Sequence, residues 1–344
     1  MMWFGPAGSW RLVRVFCGLN PGRRSAEVVS VKTNSVEEAS ISRLAELWVG
    51  GAEPTEADLR AARSIAAKMG EFEGLKPFPA VVQSLVDYVS TPDFTMDRVG
   101  ELIESDPALA ARIMRVANSA AYRVYEGCTS IGRAVVRIGA TGVVELAMGM
   151  AAMGMFKDLG GVGRKIRDHS AGTAAVAREL AFRLVRSTQS SKLFLAGLLH
   201  DIGKLLMIQS GDRQYVELVA KDPSPSSWHL KERELLGFDH GQLGAHVLRV
   251  WNLPQPIPQI IASHHCPNAG QGSSVAVAQA VDLLRVADEI EWLLDQGVGS
   301  ESLQVNRLLH SPEADRVGLT DTKVAELWDD LKAVRHEAIS MFGR

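Results

Sequence analysis

Apolar positions recur at three- and four-residue spacing along most of the chain, and no stretch of any length alternates apolar and polar residues as a strand does. The pattern predicts an all-α protein. Residues 1–35 hold no sustained period and read as a disordered tail. From Ser35 to Met69 the pattern turns helical, as one or two peripheral helices or a helical linker filling residues 36–73. Pro54 opens the second piece, with Glu56 and Asp58 in the first turn where a helix N-terminus favours acids. The breaker GLKPFP (residues 74–79) then leads into a quick succession of helices: Ala80–Val89, Thr95–Ile103 with Thr95 as N-cap, a helix opened by Asp106-Pro107, Thr129–Ile138 and Thr141–Phe156. In the last of these, Met148, Met150, Met153 and Met155 read as core rather than as an adaptable surface.

The loop KDLGGVG (residues 157–163) divides an N-terminal helical lobe, residues 74–160, from a second lobe, residues 161–294. The second lobe is expected to hold helices over Arg164–Leu184, Leu193–Ile208, Trp228–Leu236, His240–Trp251, Ile257–His265 and Val275–Leu294. A C-terminal extension, residues 295–344, carries one more, Thr322–Met341.

One of these helices is unlike the rest. Leu193–Ile208, LFLAGLLHDIGKLLMI, is apolar most of the way round, which implies burial, yet it carries His200, Asp201 and Lys204. Such groups are costly to bury without partners. A cation held by the His-Asp pair would meet that need, and Lys204, one turn after His200, would lean over the same face and suit a phosphate. A capped core helix with a satisfied polar patch is the ordinary alternative.

Composition narrows the classes. The net charge of −3 over 344 residues gives no global sign of a nucleic-acid or membrane partner. Arg112, Arg115, Arg123, Arg133 and Arg137 are basic, but a solvated helix face explains them as well, because no aromatic residues interleave with them. No apolar run is long enough to span a bilayer. Arginines interrupt the apolar residues of the N-terminus, unlike a signal peptide, and the three cysteines lack metal-type spacing, so a reducing cytoplasm is expected.

Of nine histidines, seven lie between His169 and His265. Taken singly, His169, His200-Asp201, His240, His264-His265 and Asp288 each have a dull explanation as surface, cap or helix-end residues. Taken together they supply imidazoles and carboxylates from five helices, enough for one or two divalent ions (iron, manganese or zinc) with Asp201 able to bridge. Lys204 and Asp201 are the candidate catalytic residues. His229, His246, His310 and His336 fit no such order and read as ordinary surface or core residues.

These residues resemble the HD superfamily, and more closely its HDOD branch. The likeness rests on LLHDIGKLL (198–206), GFDHGQLGAHVLRVWNLP (237–254) and ASHHCP (262–267) in the second lobe. In the first it rests on LKPFPAV (75–81), SDPALAARIMRVANSAAY (105–122) and TSIGRAVVRIGATGV (129–143). The resemblance implies an all-helical two-lobed module and a role in bacterial signalling, acting on a protein partner or by self-association without turnover. The HD-GYP class is similar in the order of its metal ligands and hydrolyses a cyclic dinucleotide. By that likeness His169, His200, Asp201, His240, His264, His265 and Asp288 would hold metal, Lys204 would contact phosphate, and a nucleotide would be the substrate class. Here, however, Cys266-Pro267-Asn268-Ala269-Gly270 stands where that class has its Gly-Tyr-Pro loop. A regulatory module is therefore the first expectation and a metal-dependent phosphohydrolase the second.

Overall fold

The fold was described from a computed structural model, which covers residues 26–342 apart from 50–52, 73–77, 120–121, 123–126, 157–158, 186–189, 222–227, 254 and 267–272. Among the described residues every regular element is helical. Helix α1 (Ala26–Val49) leads to α2 (Glu56–Lys68), which a 3-10 turn extends through Phe72. Then come α3 (Ala80–Val89), α4 (Met96–Glu104), α5 (Pro107–Ala117), α6 (Ile131–Ile138) and α7 (Ala140–Gly154). The second group comprises α8 (Gly160–Leu180), α9 (Ser190–Leu199), α10 (Ile202–Ser210), α11 (Arg213–Lys221), α12 (Trp228–Leu236), α13 (His240–Val250), α14 (Ile257–Ser263) and α15 (Val275–Asp295). The chain closes with α16 (Leu303–Leu309), α17 (Pro312–Val317) and α18 (Asp321–Phe342). Residues from Ile41 onward build one body, and the earlier part of α1 is a unit of its own.

Local chemistry accounts for many of the starts. Thr55 and Asp58 form a reciprocal capping box on α2, so the helix begins after Pro54 rather than at it. Thr95 caps α4, and Asp106 caps α5 ahead of Pro107. Gly160 adopts a φ of +65° where α8 begins, so the glycine pair marks a helix start and not a helix interior. Three expectations are corrected. Helix α1 begins at Ala26, inside the stretch expected to be a tail, because no glycine or proline interrupts the chain from there to Val49; residues 1–25 lie outside the described residues. Helices α11, α16 and α17 have no counterpart among the expected elements. The His-Asp helix is two helices, with His200 and Asp201 in the turn between α9 and α10. Its apolar stripe continues across the turn, which is why the sequence reads as one helix.

Both groups of helices share one apolar core. Met148, Met150 and Met153 of α7 are buried in it, as the sequence implies. Gly197 lets α9 approach α8, since a Cβ there would lie 2.6 Å from the Ala174 Cα. Gly203 does the same between α10 and α13, where a Cβ would meet the His240 carbonyl oxygen at 2.0 Å. These close approaches bring the polar residues of α8, α10 and α13 to one place. Among the described residues one stretch, Lys192–Ser210, has the length and apolarity to cross a membrane, and 83% of it is buried in this core.

Candidate metal centre

The turn between α9 and α10 sets the centre. His200 ends one helix and Asp201 precedes the next, and both are about 1% exposed. The His200 ring donates from Nδ1 to the Gly197 carbonyl at 2.7 Å, which leaves Nε2 as the lone-pair nitrogen facing inward. Around this turn stand His169 of α8, His240 at the start of α13, His264 and His265 at the end of α14, and Asp288 of α15. The capping box of Asp239 and Gln242 fixes the start of α13, and Arg233 holds the Asp239 carboxylate at 2.8 Å.

All seven expected ligands are brought to one cavity, in two clusters. In one, His169 Nε2 lies 2.8 Å and His200 Nε2 3.6 Å from Asp288 Oδ1. In the other, His240 Nε2 lies 3.0 Å from His265 Nε2 and 3.3 Å from His264 Nε2. Asp201 stands between them. Its Oδ1 is 3.1 Å from His240 Nε2 and 3.4 Å from His200 Nε2, and its Oδ2 is 3.9 Å from His169 Nε2.

Several observations fit a cation to this arrangement. His200 Nε2 is buried without a hydrogen-bond partner, and the buried Asp201 Oδ1 faces the ring nitrogens of His240 and His200. His264 donates from Nδ1 to the Ile261 carbonyl at 2.6 Å, so its Nε2 also presents a lone pair to the cavity. Three imidazole Nε2 atoms meeting around His240 repel one another unless a proton or a metal ion lies among them. Two clusters of three, His240-His264-His265 and His169-His200-Asp288, could each hold an ion, as could His200-Asp201-His264, which joins them.

The electrostatics of the metal-free centre follow from its charges. Burial works against ionising Asp201, but the neighbouring His200, Lys204 and His240 outweigh it and hold the carboxyl well below its usual range. Burial likewise opposes charge on His240, while Glu232 and Asp201 push it up to about 9. His169 is raised in the same way, by Glu291 and Asp288 against its burial. His264 and His265 are held well below 6.5 by burial and by the imidazoles beside them, and so keep lone pairs at neutral pH.

Residues that sequence reasoning passed over orient these rings. Glu232, buried on α12, accepts from His240 Nδ1 at 2.6 Å and from the Tyr215 hydroxyl at 2.9 Å. Glu291 accepts from His169 Nδ1 and is itself held by Arg335 Nε at 2.9 Å. Glu291 follows Asp288 by one helical turn, a readable signal; Glu232, one charge among Lys231, Arg233 and Glu234, offers none. His229 is also corrected. It stacks flat on His265, with ring centres 4.1 Å apart, and belongs to the rim of the centre. Lys204 does not reach out freely. Its buried Nζ lies 2.7 Å from Asp201 Oδ2 and 5.6 Å from the centre of the Trp228 ring.

A cleft of about 420 Å³ opens onto this cavity. Its walls include His169, Asp201, Lys204, Trp228, His265 and Asp288, with Lys165 and Trp292 farther out.

The HDOD domain family model matches residues 75–267, more than half of the chain. An uncharacterised protein of Treponema pallidum (strain Nichols) is 24% identical over 207 residues, 59% of this chain, and the chain spans only 39% of that relative's length. Among solved structures, an inferred phosphohydrolase of Shewanella amazonensis SB2B is 25% identical, with a TM-score of 0.65 over 81% of this chain and 98% of that one. An HDOD domain protein of unknown function from Geobacter sulfurreducens is also 25% identical, at a TM-score of 0.64 over 81% and 97%. An inferred signal transduction protein of Marinobacter aquaeolei VT8, 23% identical, shares the fold at a TM-score of 0.60 over 87% and 68%. With the profile match, the two-group helical fold and the His-Asp turn in agreement, the chain belongs to the HDOD domain family.

Proposed function

We propose that this protein is a divalent-metal-dependent phosphohydrolase whose substrate is a phosphoester, with a nucleotide as the substrate class. The observation that carries the reading is the gathering of two clusters of three potential ligands about the buried Asp201 carboxylate. A purely structural His-Asp turn gives no reason for imidazole Nε2 atoms to crowd at 3.0 and 3.3 Å from one another. In this reading His169, His200 and Asp288 would hold one ion and His240, His264 and His265 the other, with the Asp201 carboxylate within reach of both. Such ions supply Lewis acidity toward a phosphoryl oxygen.

The rest of the work falls to the chain. Glu232 and Glu291 fix the tautomer and tilt of His240 and His169, and the Gly197 and Ile261 carbonyls do the same for His200 and His264. Lys204 balances the charge of Asp201 and adds positive potential at the floor of the cleft, where phosphate oxygens would rest. Trp228 and Trp292 offer ring faces or edges for a base. The test is turnover of a chromogenic phosphodiester and phosphomonoester by the full chain in manganese, iron or zinc. Metal-dependent turnover that disappears in Asp201→Ala is expected; no turnover with any of the three ions overturns the reading.

A second reading follows from the Cys266-Pro267 sequence after His265, where the cyclic-dinucleotide hydrolases that the chain resembles carry Gly-Tyr-Pro. On that reading the centre binds metal as a structural or sensing element, and the protein acts on a signalling partner. Metal binding with no hydrolysis of any phosphoester is its signature.

A further inference from the structure

Arginines from two distant stretches of the chain meet in a second, smaller cleft. Arg112 and Arg115 come from successive turns of α5 in the first group of helices, and Arg167 comes from α8. Met150, Met153, Met341 and Phe342 supply apolar walls. Among the described residues no carboxylate lines the cleft and none of the three guanidinium groups makes an ion pair. Asp168 acts on Arg167 only through space.

Arg167 is the telling member. It is 6% exposed, its Nε has no hydrogen-bond partner, and it lines the cleft. A buried guanidinium without a carboxylate is costly, and two more cations beside it raise the cost further. The first-group arginines need not crowd there to be solvated, since Arg115 is exposed and Arg112 half-buried. An anion among the three would offset the mutual repulsion.

We propose that this cleft is a phosphate-binding site, separate from the metal centre. Guanidinium forks match the oxygen spacing of phosphate and bind it through paired, charge-assisted hydrogen bonds. The cleft is small, about 20 Å³. That limits its occupant to a compact group such as one tetrahedral oxyanion, with no space for a base or sugar. Occupancy joins α5 to α8, beside the end of α18. Because α8 carries both Arg167 and His169, an anion here acts on the helix that supplies a ligand to the metal centre. The site is therefore placed to report phosphate, free or as the end group of a small ester, to the chemistry in the other cleft.

The test is calorimetric titration of the full chain with inorganic phosphate and, in a second arm, with phenyl phosphate. Wild type is compared with the double variant Arg112→Gln/Arg115→Gln and with Arg167→Lys, each titrated in chelator so that the metal centre holds no ion. Saturable phosphate binding is expected, weakened tenfold or more in the double variant and measurably in Arg167→Lys, which keeps the charge and loses the fork. Equal binding of the two ligands points to an end-group phosphate, and preference for inorganic phosphate to the free ion, both within the proposal. Wild-type affinity in the double variant, or absence of saturable binding in chelator, overturns it.

Discussion

The two halves of the metal centre are built on one plan and differ in a single part. Each has one imidazole that donates through Nδ1 to a buried glutamate: His169 to Glu291 in the first, His240 to Glu232 in the second. Each has one imidazole that donates to a main-chain carbonyl three residues back, His200 to Gly197 and His264 to Ile261. The third member is a carboxylate, Asp288, in the first half and an imidazole, His265, in the second. The halves therefore carry different charge. A more anionic, harder set faces the open cleft, where His169 and Asp288 are 21% and 27% exposed, and a more neutral, nitrogen-rich set lies deeper around His240. Harder carboxylate ligands suit manganese or magnesium, and imidazoles suit zinc or iron. On the proposed reading the two halves would differ in the ion they prefer, with Asp201 shared between them.

The comparison breaks most completely where both halves depend on one contact. Gly203→Ala would place a Cβ 2.0 Å from the His240 carbonyl, so α10 and α13 must separate and Asp201 must move from His240. Overpacking of this kind costs about 1–3 kcal/mol, and here it falls on backbone that cannot yield locally. Lower thermal stability together with loss of both ions is expected, read by melting and metal analysis.

Removing the third ligand acts on one half at a time. Asp288→Ala should cost the ion of the first half and leave the second, and His265→Ala should do the reverse. Elemental analysis reporting one equivalent in each variant would sharpen the comparison. Loss of both ions in either would show that the halves do not act separately.

The glutamates should have smaller effects. Glu291→Gln and Glu232→Gln keep the shape and weaken the orienting bond. Affinity for the ion of the corresponding half should fall about 10–100-fold, the usual range for groups that position a metal-binding histidine. Competition with a chromophoric chelator measures it.

The smallest effect is on the pH dependence of the chelated protein. His240 titrates near 9 in the fold against about 6.5 in the unfolded chain, chiefly because Glu232 outweighs its burial. A raised histidine contributes stability that is full below pH 6.5 and is lost as pH rises through 9. Chelated wild type should therefore lose stability between pH 6.5 and 9, and Glu232→Gln should flatten that slope. Denaturant midpoints across this range measure it, and an unchanged slope would remove Glu232 from the explanation.

Most of the helices were legible in the sequence because their apolar periods and caps are local. Thr95, Asp106 and Ser274 each cap a helix in the described fold. The residues that converge on the His-Asp turn were legible too, because histidine is rare and seven of nine fall within one stretch. What was not legible depends on packing. The break at His200-Asp201 leaves the apolar stripe intact, so periodicity cannot register it. Glu232 and Arg335 become significant only when other helices bring His240 and Glu291 to them. Lys204 reads as a free cation in the sequence, and only the three-residue reach across the turn commits it to Asp201. His229 reads as ordinary until the end of α14 lays His265 against it.

The central claim, two clusters joined through Asp201, is tested most directly by metal analysis of the full chain purified without chelator and reloaded with manganese or zinc, beside Asp201→Ala. Two ions per chain in the wild type and none, or one weakly held, in the variant are expected. A wild type that takes up no ion, or a variant that keeps two, would contradict it.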